Sequence, residues 1–251
     1  MPITSNTLIS DSFNFFKNQL NGLLFLSFIS ANIGIILYYF LVPIDEMTII
    51  LKTISSQNNS TEFLTWATKL SDKEKMTIIK VSILSLTTIF IGLILLVSSV
   101  VTYLLELTIG NSISAFQAFV LSLRISPNIL ILLFICTIII YFGFILFIFP
   151  GIILAVGFSL SPIVLIIRKN ISPLRAISKS WRISFQYWWL ILLILLFCTL
   201  SQILVTMLFE QFHFLPNLIN NIISFTLNNL LTSFALICFF RIYMLIEKIT
   251  N

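Results

Sequence analysis

The sequence predicts an all-α fold, a polytopic bundle of about six transmembrane helices with amphipathic helices at the membrane surface. Three observations carry that prediction. First, 59% of the 251 residues are hydrophobic and 9% are charged, whereas a soluble domain is roughly half apolar and a quarter charged. Second, the charges are clustered. None falls between Lys17 and Asp45, Lys80 and Glu106, Arg124 and Arg168, Arg182 and Glu210, or Glu210 and Arg241. A lone charge at mid-bilayer costs roughly 2.5–3.5 kcal/mol even on the lenient insertion scale, so hydrocarbon demands such gaps. Third, most of the apolar stretches reach the ~20 residues that a helix needs to cross a bilayer. The whole chain, 1–251, reads as one transmembrane domain.

The first span covers about 22–42 and ends at Pro43. Ahead of it, Leu8, Ile9, Ser12, Phe13, Phe16 and Leu20 recur at helical spacing, as in a short interfacial helix. No basic region followed by a cleavable apolar core opens the chain, so the first span is expected to serve as its own insertion signal. The polar loop 44–80 follows, with five acids and five lysines. Its Ser/Gln/Asn-rich part reads as a flexible loop, and Thr61–Leu70 as a short amphipathic helix. Ser71 and Glu74 have capping-box spacing, which predicts a helix running from there into the second span, about 81–105. Glu106 closes that span, and Thr108–Asn128 reads as a linker with an interfacial helix ended by Pro127.

Ile125 through Ile167 carries no charge. As one helix it would reach about 65 Å, twice the ~30 Å hydrocarbon core, so it must fold back. Pro150-Gly151 near its middle is turn chemistry. The reading is a hairpin of two spans, about 129–149 and 151–167, with a re-entrant pair as the alternative. Beyond it, Ser172 and Pro173 signal a helix start. At helical spacing Leu174, Ile177, Trp181, Phe185 and Trp188 form one stripe, and Arg175, Lys179, Arg182 and Gln186 another. Aromatic anchors beside a basic stripe describe a helix on an anionic membrane surface. Arg175, Lys179, Trp181, Arg182 and Trp188 are therefore the candidate headgroup residues. The bland alternative is a basic face packed on the protein itself. The last two spans cover about 188–209 and 218–240, joined by a turn holding Glu210, His213 and Pro216.

With six spans both termini share a side. Placing that side in the cytoplasm puts nine of the 14 basic residues there, all five arginines included, against the five lysines of the 44–80 loop. The positive-inside rule favours this orientation.

Several segments resemble a known family from end to end. The opening MPITSNTLISDSFNFFKNQL, the hairpin FPGIILAV, the following SPIVLIIRKN and the closing FFRIYMLIEK are similar to the YciC family of bacterial inner-membrane proteins. The resemblance implies a six-span protein of the Gram-negative inner membrane with no established biochemical activity. A looser likeness, in Pro-Gly, then Pro162, then Ala176 and Ser180, links the chain to a wider group of helical membrane domains. Some of those are attached to glycerophosphodiester phosphodiesterase domains. This chain has no such catalytic domain, so that activity does not transfer.

No residue pattern calls for chemistry. Group transfer needs a nucleophile with a base, paired carboxylates or metal ligands in mutual reach. The single histidine, His213, sits between Phe212 and Phe214, and no paired Cys, paired His or phosphate-loop motif occurs. Cys136, Cys198 and Cys238 each lie within an apolar stretch and read as small core residues. No enzyme activity, cofactor or metal is expected. The net charge of +5 sits in short segments beside apolar stretches, so anionic lipid is the expected partner, with other inner-membrane proteins or a second copy beside it, and no nucleic acid. Glu106 is placed to pair with Arg124 or Arg241. Deep polar residues remain, chiefly Gln202, Asn228 and Asn229, together with Asn32, Ser98 and Ser99. Interhelical hydrogen-bond glue is one reading of them. A path for a small solute through a transporter or channel, with Pro162 breaking the fourth span, is the other. A non-catalytic organiser of lipid or partners is the leading functional reading.

Overall fold

Apolar runs this long leave the backbone no water to bond, so each must close its own hydrogen bonds as a helix. In the computed structural model, residues 5–43, 48, 71–168, 171–211 and 216–250 are described. They form α1 (Ser5–Asn18), α2 (Leu20–Leu41), α3 (Asp72–Ile109), α4 (Ala115–Leu123), α5 (Ser126–Leu146), α6 (Ile148–Phe158), α7 (Ser161–Ile167), α8 (Pro173–Ser184), a 3-10 turn at Phe185–Tyr187, α9 (Trp188–Gln211) and α10 (Asn217–Thr250). No strand occurs among the described residues. Six helical stretches are long and apolar enough to cross a membrane: α2, α3, α5, α6 with α7, α8 with α9, and α10 from Leu218 to Ile246. The all-helical architecture with six candidate spans is as the sequence predicts. Thr61–Leu70 and His213 lie outside the described residues.

The chain forms two compact units, 32–92 and the remainder, whose boundaries fall inside α2 and α3. In the smaller unit, α3 starts where the sequence places it. The Ser71 amide donates to Glu74 Oε2 at 2.8 Å, and the Glu74 amide donates to Ser71 Oγ at 3.3 Å. These bonds satisfy two donors that a helix start otherwise leaves open. They hold the exposed Glu74 carboxyl below its ordinary value, the Ser71 backbone amide acting more strongly than its hydroxyl. Farther along, a Cβ on Gly34 would lie 3.8 Å from both Gly92 Cα and the Thr88 carbonyl oxygen. Small residues here let the α2 and α3 backbones approach.

In the larger unit, α3 runs on past Glu106 to Ile109. The Asn111 amide donates to the Glu106 carbonyl and the Gly110 amide to that of Leu107. With Gly110 at φ +90°, this is a Schellman stop. Next, α4 begins at a capping box: the Gln117 amide donates to Ser114 Oγ at 3.2 Å, and Gln117 Oε1 accepts from the Ser114 amide at 3.0 Å. Pro127 does not end α4. It is the second residue of α5, where the missing N–H is one the helix leaves unbonded anyway.

The fold-back between α5 and α6 exists, but its turn is not Pro150-Gly151. The one residue outside helical geometry is Phe147, at φ −161° and ψ 155°. Pro150 and Gly151 lie in the first turn of α6, where proline is tolerated. Gly151 serves close packing, since a Cβ there would meet the Phe144 ring at 2.5 Å, and one on Gly143 would meet Gly151 Cα at 3.1 Å. The fourth span is broken ahead of Pro162, where α6 ends at Phe158 and α7 begins at Ser161. Residues 161–166 of α7 are buried throughout. This short helix sits at the centre of the larger unit, packed by α5, α8 and α10.

A basic helix docked on a serine seam

Ser172 occupies the N-cap of α8 in extended geometry, with Pro173 at the first helical position, as predicted, although its hydroxyl makes no capping bond. The face that α8 buries is Ala176, Ile177, Ser180 and Ser184, against α5, α6 and α7. Ser180 Oγ donates to the Gly157 carbonyl at 2.7 Å, fully buried. The absent side chain of Gly157 makes room for the Trp181 ring, which also meets Phe158 and Phe185 at 5.7 and 4.8 Å between centroids. The predicted headgroup set therefore divides. Trp181 is turned onto the protein and half-buried, while Ile177 is buried. Leu174, Phe185 and Trp188 remain exposed. The stripe that docks on the bundle is one of small residues, rotated from the large apolar one, because small side chains let two helix backbones come close.

Arg175 and Arg182 are exposed and Lys179 is half-buried. None of the three has an acid within ion-pair distance among the described residues, where Lys75 with Asp72 is the pair found. The 3-10 turn joins α8 to α9, whose first residues Trp188 and Trp189 meet at 4.3 Å between ring centroids, tilted by 36°. The site is thus a basic face with two tryptophans at its end, anchored by a serine seam beneath.

The deep polar residues bond to one another across helices, and they do so in separate places. Gln202 Nε2 on α9 donates to Thr232 Oγ1 at 2.9 Å and to the Asn228 carbonyl at 3.3 Å on α10. Asn228 Nδ2 returns a bond to Thr206 on α9 at 3.2 Å. Asn229, one residue on, points to another neighbour: its Nδ2 donates to Ser30 Oγ at 3.1 Å and to the Ser27 carbonyl at 3.3 Å on α2. Ser98 on α3 meets Ser126 on α5 at 3.2 Å. These groups do not converge. They pin three different helix pairs.

Further polar contacts join helices at positions that no sequence motif marks. Ser27 Oγ lies 3.3 Å from Ser233 Oγ, Tyr103 donates to Gln19 Oε1 at 2.9 Å, and Arg168 Nε donates to the Tyr243 hydroxyl at 3.1 Å. The sequence signal for the first of these is a pair of small hydroxyl residues inside apolar helices. Glu106 pairs with neither Arg124 nor Arg241. Its carboxylate accepts from Asn111 Nδ2 at 2.7 Å, brought within reach by the Gly110 reversal, and Arg241 lies over the Phe15 ring at 5.1 Å. Cys136, Cys198 and Cys238 are buried free thiols. Among the described residues no cluster of three metal-ligating side chains occurs.

Long helices with charge-free apolar stretches, and interior polar groups bonded helix to helix, define a multi-pass helical membrane protein. Its family is narrower than that class: the chain belongs to the uncharacterised protein family UPF0259, which it matches over residues 1–245. It is 32% identical to a UPF0259 membrane protein of Yersinia pestis (strain Pestoides F) over all of this chain and 98% of the relative. Relatives in Yersinia pseudotuberculosis serotype O:1b and Yersinia pestis bv. Antiqua (strain Angola) are similar at the same identity and coverage. No solved structure matches the chain.

Proposed function

We propose that this chain is a non-catalytic protein of the bacterial inner membrane, of the YciC type, with both termini in the cytoplasm, that gathers anionic lipid at its surface. The observation that carries the reading is α8. Its small-residue face is locked to the bundle by the Ser180–Gly157 bond, which leaves Arg175 and Arg182 exposed on the helix that leads into Trp188. Each such cation near an anionic surface contributes about 1 kcal/mol, and tryptophan favours the headgroup level. The nine-to-five bias of basic residues supports the orientation. The separate bonding of Gln202, Asn228 and Asn229 favours a packing role over a solute path.

The full chain, purified in detergent and titrated with phosphatidylglycerol by native mass spectrometry, tests this. The triple variant Arg175→Gln, Lys179→Gln, Arg182→Gln is expected to bind it about a hundredfold more weakly, with phosphatidylcholine binding unaffected. Equal retention of phosphatidylglycerol by the variant would overturn the proposal.

A further inference from the structure

The reversal between α5 and α6 is unlike a turn made for water. From Phe142 to Phe158 there is no polar side chain, the turn included. Phe147 and Phe149 at its tip are 74% and 79% exposed. The connection between α9 and α10, by contrast, is flanked in sequence by Glu210, Gln211 and Asn217.

The backbone points the same way. A turn placed in hydrocarbon must leave few peptide groups unbonded. Here only Phe147 departs from helical geometry. Its amide still donates to the Gly143 carbonyl at 3.1 Å, and its carbonyl accepts from the Gly151 amide at 3.4 Å. A helix start leaves up to four N–H groups open. In α6 the third residue is Pro150, which has no N–H, so one of those open donors is missing.

Reach gives a third, independent argument. Counted from the Arg168–Tyr243 bond, the path back to Ile148 is at most about 30 Å at 1.5 Å per residue, and the break ahead of Pro162 shortens it. From the same bond, α10 extends about 39 Å to Asn217. Along a common axis, helix length alone leaves the phenylalanine tip roughly 9 Å short of the polar end of α10.

We infer that the Phe147 reversal is embedded in the acyl region of the leaflet opposite Arg124 and Arg168, with its phenylalanines against lipid chains. The α5–α6 hairpin is an aromatic wedge that enters that leaflet without emerging into water.

The test uses the full chain in proteoliposomes, with the buried Cys136, Cys198 and Cys238 replaced by alanine. Single cysteines are placed by Phe147→Cys, Phe149→Cys and, as the aqueous reference, Gln211→Cys, all at exposed positions. A membrane-impermeant maleimide is expected to label the two tip positions at least tenfold more slowly than Gln211→Cys, whether it is added outside or sealed inside. A bimane attached to the tip in detergent before reconstitution is expected to be quenched by acyl-chain spin-labelled lipid and spared by iodide. Labelling at the reference rate would place the turn in water and overturn the inference. Slow labelling without lipid quenching would show protein covering the tip, a second copy for example, and would overturn it equally.

Discussion

Ser161 Oγ donates a 2.6 Å hydrogen bond to the carbonyl of Phe158, the acceptor that Pro162 leaves without its helical partner three residues into the break. A proline four residues on removes the N–H that this oxygen would accept. Inside a membrane protein such carbonyls are satisfied by nearby hydroxyls. The bond makes a kinked, fully buried helix tolerable where Cys136 also touches Ser161, at 3.6 Å. Ser161→Ala should destabilise the protein by about 1 kcal/mol or somewhat more. Adding Pro162→Ala, which restores the N–H, should recover part of that loss. A double-mutant cycle on thermal unfolding in detergent checks it, and strictly additive effects would show that the hydroxyl is not compensating for the proline.

The hairpin depends on two glycines in different ways. A Cβ on Gly143 would press on the Gly151 backbone, at 3.1 Å from Cα and 3.2 Å from N, whereas one on Gly151 would meet the Phe144 ring. Backbone cannot yield, but the half-exposed Phe144 ring can turn outward. Gly143→Ala is therefore expected to cost about 1–3 kcal/mol by overpacking, and Gly151→Ala less. The same unfolding assay ranks them, and the reverse order would contradict the packing of α5 on α6.

Much of this architecture is legible in the sequence, because hydrocarbon imposes a simple rule on charge. The gaps between Lys80 and Glu106 or Arg182 and Glu210 fix the spans, and the Ser71–Glu74 spacing fixes where α3 begins. The position of the reversal at Phe147 is not legible. Pro-Gly is turn chemistry in water, but the same pair is also suited to the first turn of a helix and to close packing, and only the three-dimensional path decides. Nor does the large apolar stripe of α8 reveal its docking face. Ser180 and Ser184 look polar on a helical wheel yet are fully buried, since small size governs contact between membrane helices. Ser114 with Gln117 is a capping box of the same kind as Ser71 with Glu74, and it marks the start of α4 just as clearly.

Gly157 and Ser180 hold the basic helix in place, so their loss should be visible at Trp181. Gly157→Ala drives a methyl into that ring. The expected outcome is a shift of the Trp181 emission as the ring is displaced, read in a variant where the other three tryptophans are phenylalanine. Ser180→Ala, which removes the bond without adding bulk, should cost about 1 kcal/mol and leave the emission nearly unchanged. Equal spectral effects would mean that the seam is held by something other than the Gly157 contact.

Asn228 and Asn229 are adjacent in sequence but serve different helix pairs, α9 with α10 and α2 with α10. Replacing either by leucine should cost about 0.6 kcal/mol, the average for interhelical bonds in a membrane protein. Because they share no partner, the double variant should show the sum of the two. A strong departure from additivity would indicate one connected network, and with it the converging polar path that separate pairs do not provide.

The capping box at the start of α3 makes that end sensitive to acid. The Glu74 carboxyl is held below its ordinary 4.5 by the Ser71 amide first and the Ser71 hydroxyl second. A depressed carboxyl stabilises the helix start above the unfolded value, and that support is lost as pH falls through the lower folded value. Fraying at Asp72–Lys75 should therefore begin below about pH 4.5 while the apolar part of α3 stays helical. The Ser71 amide resonance, followed by NMR down to pH 2, reports it. Glu74→Gln keeps an acceptor for that amide but cannot titrate, so it should remain capped throughout. An acid transition of the same size in the glutamine variant would mean that some other group controls this terminus.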